Sequence, residues 1–140
     1  MQINSAKDLV VYKRAYELSM MVFEMSKRFP AEERFALTSQ IRRSSRSVCL
    51  NLREAWAKRR YPASFIAKLT DCDGENSETD SSLDFAFDCN DIDQREHEAA
   101  RAIINEIGKM PGGMLLRPEK FLVEPEIRGQ ESEISNRRRR

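Results

Sequence analysis

Residues 29–60 read FPAEERFALTSQIRRSSRSVCLNLREAWAKRR, and the spacing of their apolar side chains decides the fold. Leu37, Ile41, Ser44, Val48, Leu52 and Ala55 recur at steps of three and four, the period of one face of an α-helix. Pro30 opens the segment, and Glu32-Glu33 places negative charge at the positive end of a helix. The spacing predicts one long helix from just after Pro30 to about Arg60.

Upstream, a helix is predicted from Asp8, a plausible N-cap, to Phe29, where Pro30 stops it. Leu9, Tyr12, Tyr16, Ser19, Phe23 and Ser26 share a stripe on it, flanked by Ala15, Val22, Met20 and Phe29. This apolar arc covers more than half the circumference, wider than one buried face needs. It implies either deep burial or contact with another subunit. Downstream, Pro62 opens a third helix whose stripe is Phe65, Leu69, Cys72, Asn76, Thr79, Leu83 and Phe87, with Gly74 inside it. Buried Asn76 and Thr79 need hydrogen-bond partners. The fourth helix starts at Asp93-Gln-Arg-Glu96, an acidic capping box. It carries His97, Ala100, Ile103 or Ile104, Ile107 and Met110, and MPGG at 110–113 is expected to end it.

Five glycines and five prolines in 140 residues gather where helices would stop, and no stretch alternates with period two. The fold class is therefore all-α. Four helices with short connections make an antiparallel up-down four-helix bundle over residues 1–117. Residues 118–140, which end in Arg137–Arg140, are expected to form a mobile charged tail. The 24 basic residues nearly cancel the 23 acidic ones, so only their placement can point to a partner. No run approaches the roughly 20 apolar residues of a membrane span, and the N-terminus lacks a signal-peptide core. Cys49, Cys72 and Cys89 are odd in number without CxxC spacing, which fits reduced thiols in a bacterial-type cytoplasm.

Several chemistries fail on their residue requirements. DCDGENSETDSS at 71–82 resembles a calcium loop, but the sixth position is Asn76 instead of glycine and the twelfth is Ser82 instead of an acid. A di-iron bundle needs two Glu-x-x-His pairs; the chain has one histidine, His97, preceded at that spacing by Gln94. No glycine-rich elbow or phosphate loop accompanies the cysteines. The expectation is a non-enzymatic protein with no cofactor, no metal and no small-molecule substrate.

Charge placement is the informative feature. From Arg34 to Arg60 there are eight basic residues against one acid, Glu54. Arg42, Arg46, Arg53 and Arg60 fall within about 40° on a wheel of 100° per residue, about 120° from the core stripe. Arg43 widens the band, and Lys58 and Arg59 extend it. Such a row spans about 27 Å and could follow several phosphates of a nucleic acid. Residues 71–98 hold eleven acids against Arg95 alone. The arginines therefore have two readings, a free polyanion-binding face or pairing with the acidic third helix within or between subunits.

The chain resembles the 23S rRNA intervening-sequence proteins and, in fold, the accessory variability protein of diversity-generating retroelements. The resemblance rests on DLVVYKRAYELSMMVFEMSKRFP at 8–30, EERFALTSQIRRSS at 32–45, NLREAWAKRR at 51–60, SFIAKL at 64–69 and GENSETDSSLDFA at 74–86. It implies a left-handed up-down bundle, a homopentameric barrel with a basic face or pore, no cofactor, and a role in binding RNA or DNA. Arg42, Arg43, Asn51, Glu54 and Arg59 match recurrent polar positions of that family. Cys49 stands where relatives often have proline, and Ala55 and Ala57 where they often have glycine. The second helix should therefore be straighter and more continuous here. The acidic third helix and Pro111-Gly112-Gly113 also depart from the family's pattern.

Overall fold

The computed structural model describes the backbone of residues 4–116 and the side chains of residues 4–110; the expected tail at 118–140 lies outside the described residues. A 3-10 turn at Ala6–Asp8 leads into α1 (Val10–Ser26). A 3-10 turn (Ala31–Glu33) and a π-helical turn (Arg34–Thr38) then wind directly into α2 (Ser39–Ala57), followed by α3 (Pro62–Asp88) and α4 (Gln94–Leu116). Each helix packs on its neighbour in sequence and α1 closes against α4, which makes the bundle. No strand occurs among the described residues.

The α2 stripe is placed as its spacing requires: Ile41, Ser44, Val48, Leu52 and Ala55 are buried, and Leu37 packs on the core. Polar positions within the core find partners. Ser44 Oγ lies 2.8 Å from Thr79 Oγ1, which donates to the Glu75 carbonyl at 2.9 Å. Asn76 Nδ2 donates to the Ile104 carbonyl at 3.1 Å, tying α3 to α4. Residues 71–82 lie wholly within α3 and form no loop at all. At its end, Asn90 takes the left-handed conformation (φ 65). The Asp91 N–H reaches back to the Ala86 carbonyl at 2.8 Å and that of Asn90 to Phe87 at 3.0 Å, a Schellman closure. The predicted box at α4 is reciprocal, with Glu96 N–H to Asp93 Oδ1 at 2.8 Å and Asp93 N–H to Glu96 Oε1 at 3.0 Å.

Four expectations are corrected. The buried face of α1 is Val11, Ala15, Leu18, Ser19, Val22, Met25 and Ser26; Ser19 and Ser26 of the expected stripe are buried with Leu9 before it, while Tyr16 and Met20 are 56% and 45% exposed. An apolar arc this wide offers several stripes of equal regularity, and packing selects the aliphatic one while leaving the phenolic rings at the boundary. Asp8 caps no α-helix: its carboxylate closes the preceding turn by accepting the N–H groups of Asn4 at 2.8 Å and Ser5 at 3.1 Å, in a box with Ser5. The second helix begins with π and 3-10 turns and ends at Ala57, so Lys58–Arg60 form a turn; from Ser39 to Ala57 it is an uninterrupted α-helix. Finally, α4 continues through Pro111, Gly112 and Gly113 to Leu116. Proline's fixed φ is helical; it removes the hydrogen bond to the carbonyl four residues earlier and crowds that carbonyl, which weakens or kinks a helix without having to end it.

Candidate nucleic-acid interface on α1 and α2

Seven basic residues are expected from the sequence to form the site, and α2 sorts them into three environments. Arg43 is neutralised. It donates to Glu75 at 3.1 and 3.2 Å and to Glu78 at 2.6 Å, and its Nε reaches Gln40 at 3.3 Å. These bonds, with Glu75 contributing most, raise its pKa above the ordinary arginine value. Two α3 carboxylates thus already occupy the Arg43 guanidinium. Arg59 lies over the Trp56 ring at 4.0 Å and donates to the Trp56 carbonyl at 2.7 Å. Burial, and secondly the Arg60 charge, lower its pKa.

Arg42, Arg46, Arg53, Lys58 and Arg60 form no salt bridge among the described residues. Arg42 is held in place by donating from Nε to Ser26 Oγ at 2.7 Å, while that hydroxyl donates to the Phe23 carbonyl at 3.1 Å. Its guanidinium carbon sits 4.9 Å from the Phe23 ring centroid, with that of Arg46 at 5.8 Å and Lys27 Nζ at 4.8 Å. Three cations therefore gather on one half-buried ring, an arrangement that cation–π attraction supports and mutual repulsion opposes. Arg46, Arg53, Lys58 and Arg60 project into solvent. Because α2 stops at Ala57, the helical part of the row runs from Arg42 to Arg53, about 17 Å at 1.5 Å per residue.

Five of the seven acids of α3 are engaged elsewhere, and Asp73 and Asp88 form no ion pair among the described residues. Besides Glu75 and Glu78, Asp71 and Glu54 meet Lys68, Asp80 meets Arg101, and Asp84 meets His97 at 2.9 Å. His97 also stacks on Phe87, with centroids 4.5 Å apart, which makes it a structural boundary residue. Asn51 is buried and donates to the Ser47 carbonyl at 3.0 Å, so its role is local. The molecule thus separates its charges, with anionic groups along α2–α3 and unpaired cations along α1–α2.

Sequence spacing places Phe23 in the core stripe and so misses both Phe23 and Lys27 as part of the site. Their separation of four residues, matched by Arg42 and Arg46 on α2, is the signal that could have found them. A second surface feature lies on the α2–α3 side. Phe35 and Phe85 are 88% and 65% exposed and line an apolar groove with Ala36, Leu37 and Cys89.

A family model described as 23S rRNA-intervening sequence protein matches residues 7–113. Among solved structures, a protein of unknown function from the S23 ribosomal protein family of Bacteroides thetaiotaomicron is similar, with a TM-score of 0.69 and 28% identity. The alignment covers 78% of this chain and 97% of that one. No curated protein matches the chain. Among the described residues, no helix is long and apolar enough to cross a membrane.

Proposed function

The chain belongs to the 23S rRNA-intervening sequence protein family, and on that premise we propose that it is a non-enzymatic homo-oligomer that binds RNA or DNA through the α1–α2 face. The carrying observation is that Arg46, Arg53, Lys58 and Arg60 have no acidic partner among the described residues, although α3 is rich in acids. Guanidinium groups fixed by a helix and left unpaired suit phosphate oxygens, which their planar fork binds in bidentate fashion. Self-association is carried by the other surface: Phe35 and Phe85 expose aromatic area that a second copy would remove from water. A pentamer is the expectation that the family resemblance supplies.

The pairing of Arg43 with Glu75 and Glu78 supports, for that one residue, the alternative of an assembly or adaptor module whose arginines pair with acidic residues and bind no nucleic acid. It does not extend along the row. Titration of labelled RNA, followed by fluorescence anisotropy, tests the proposal on wild type and on an Arg42/Arg46/Arg53→Ala variant. An affinity loss of at least about tenfold in the variant is expected. Wild-type binding that is absent, or equal in the two proteins, would remove the nucleic-acid function.

A further inference from the structure

The α1 side of the basic face is aromatic. On a wheel of 100° per residue, Tyr12, Phe23, Tyr16, Lys27, Met20 and Lys13 follow one another outward from the edge of α1 that meets α2, an arc of about 100° without an acid. Glu24 and Glu17 lie beyond it, held by Lys27 and Arg14. Facing this arc, Arg42, Arg53 and Arg46 occupy about 40° of α2. The register between the helices is set by Ser19 Oγ donating to the Ser45 carbonyl at 2.8 Å and by Arg42 donating to Ser26. Antiparallel helices in this register bring Arg53 level with Tyr12 and Tyr16, as Arg42 and Arg46 are level with Phe23. Tyr12 and Tyr16 lie with centroids 6.3 Å apart, and Tyr16 is 56% exposed. Trp56 with its stacked Arg59 continues the series at the end of α2.

From this juxtaposition of an acid-free aromatic row and an unpaired arginine row, we infer that the α1–α2 face takes single-stranded nucleic acid, with unpaired bases stacking on Tyr16 and its neighbours while Arg46 and Arg53 hold the backbone. The inference rests on the nucleic-acid reading above and narrows its ligand. A duplex offers this surface phosphates alone, because its bases are stacked within, so the exposed rings would gain nothing from it. Unpaired nucleotides present both a phosphate and a π-face at each step, the combination that single-strand binders meet with charge and aromatic rings. A second copy of the chain is a poorer occupant. A contact between two-fold related copies would set arginine row against arginine row; a ring contact would set the face against a different surface, an occupant that the oligomer mass in the test below reports.

The test is fluorescence anisotropy of wild type, Tyr16→Leu and Arg53→Ala with a labelled single-stranded RNA of about 16 nucleotides and with its duplex. Light scattering reports the oligomer mass of each protein. Tyr16 is more than half exposed, so leucine leaves the core untouched. Single strand is expected to bind more tightly than duplex. Tyr16→Leu should weaken the single strand by about 5-fold or more, the size of one lost stacking contact, and leave the duplex unchanged. Arg53→Ala should weaken both. Equal effects of Tyr16→Leu on the two forms, or none on the single strand, overturn the stacking inference while nucleic-acid binding stands. A fall in oligomer mass with unchanged binding overturns it in favour of a subunit contact. No wild-type binding to either form overturns both readings.

Discussion

Arg43→Ala distinguishes a neutralised cation from a free one on the same helix. The Arg43 fork holds Glu75 and Glu78, whose side chains are 23% and 39% exposed, its own being 46% exposed. Exposed pairs of this kind contribute about 0–1 kcal/mol, and the bidentate geometry favours the upper end. Removing the cation also leaves two carboxylates three residues apart on α3 without a counter-charge, at a cost of a few tenths of a kcal/mol. The sum is about 1 kcal/mol of lost stability, or about 3–6 °C in Tm for a domain of this size. Affinity for RNA should change by no more than about twofold, through loss of one screened charge. Arg53→Ala should do the reverse, leaving stability within about 0.5 kcal/mol and lowering affinity several-fold. Urea unfolding followed by circular dichroism and RNA anisotropy, in one buffer, give the two readouts. If Arg43→Ala lowers affinity as much as Arg53→Ala and leaves stability untouched, the division of charges between the two faces is wrong.

Three further outcomes follow from the same contacts. Burial pushes the Cys49 thiol up to about 11 and that of Cys72 up to about 12, whereas Cys89 is exposed. A thiol-reactive disulfide reagent should therefore titrate Cys89 quickly in the native protein and all three cysteines only after denaturation. Backbone N–H bonds from Asn4 and Ser5 hold the Asp8 carboxyl below its ordinary value. A depressed carboxyl stabilises the fold above its unfolded pKa of about 3.9 and loses that contribution as pH falls through the folded value. Asp8→Asn should accordingly be less stable than wild type at neutral pH, with the difference closing as pH falls below the ordinary carboxylate range in denaturant unfolding. The Ser44–Thr79 hydroxyl pair, buried between α2 and α3, should show a coupling of about 1 kcal/mol in a Ser44→Ala, Thr79→Val double-mutant cycle.

The legible parts of the fold were those where one helix face is apolar and the other is not. On α2 the contrast between Ile41, Val48 and Leu52 and the arginines beside them leaves a single solution, and the structure adopts it. On α1, Tyr12, Tyr16 and Phe23 form a stripe as regular as Val11, Leu18 and Val22. Periodicity cannot rank two such stripes; tertiary packing does, and it placed the aromatic one beside the arginines. The helix ends were legible where side chains close them, as at Asp93 and Glu96, and misread at Asp8 and Pro111, where the same residue types serve other geometries. The basic row was visible as a row, but its division was not. That Arg43 meets Glu75 and Glu78 while Arg46 meets Phe23 depends on which helix lies on each side of α2, a property of topology that spacing along one helix does not carry.

The free arginines are tested most directly by the salt dependence of RNA binding in wild type and in Arg46/Arg53→Ala. Each cation that meets a phosphate contributes about 0.7 to the slope of log Kobs against log salt for a single strand. Two lost contacts should make the slope shallower by about 1.4. An identical slope in the two proteins would mean that these guanidinium groups do not meet phosphate, and the assignment of the α1–α2 face would fail.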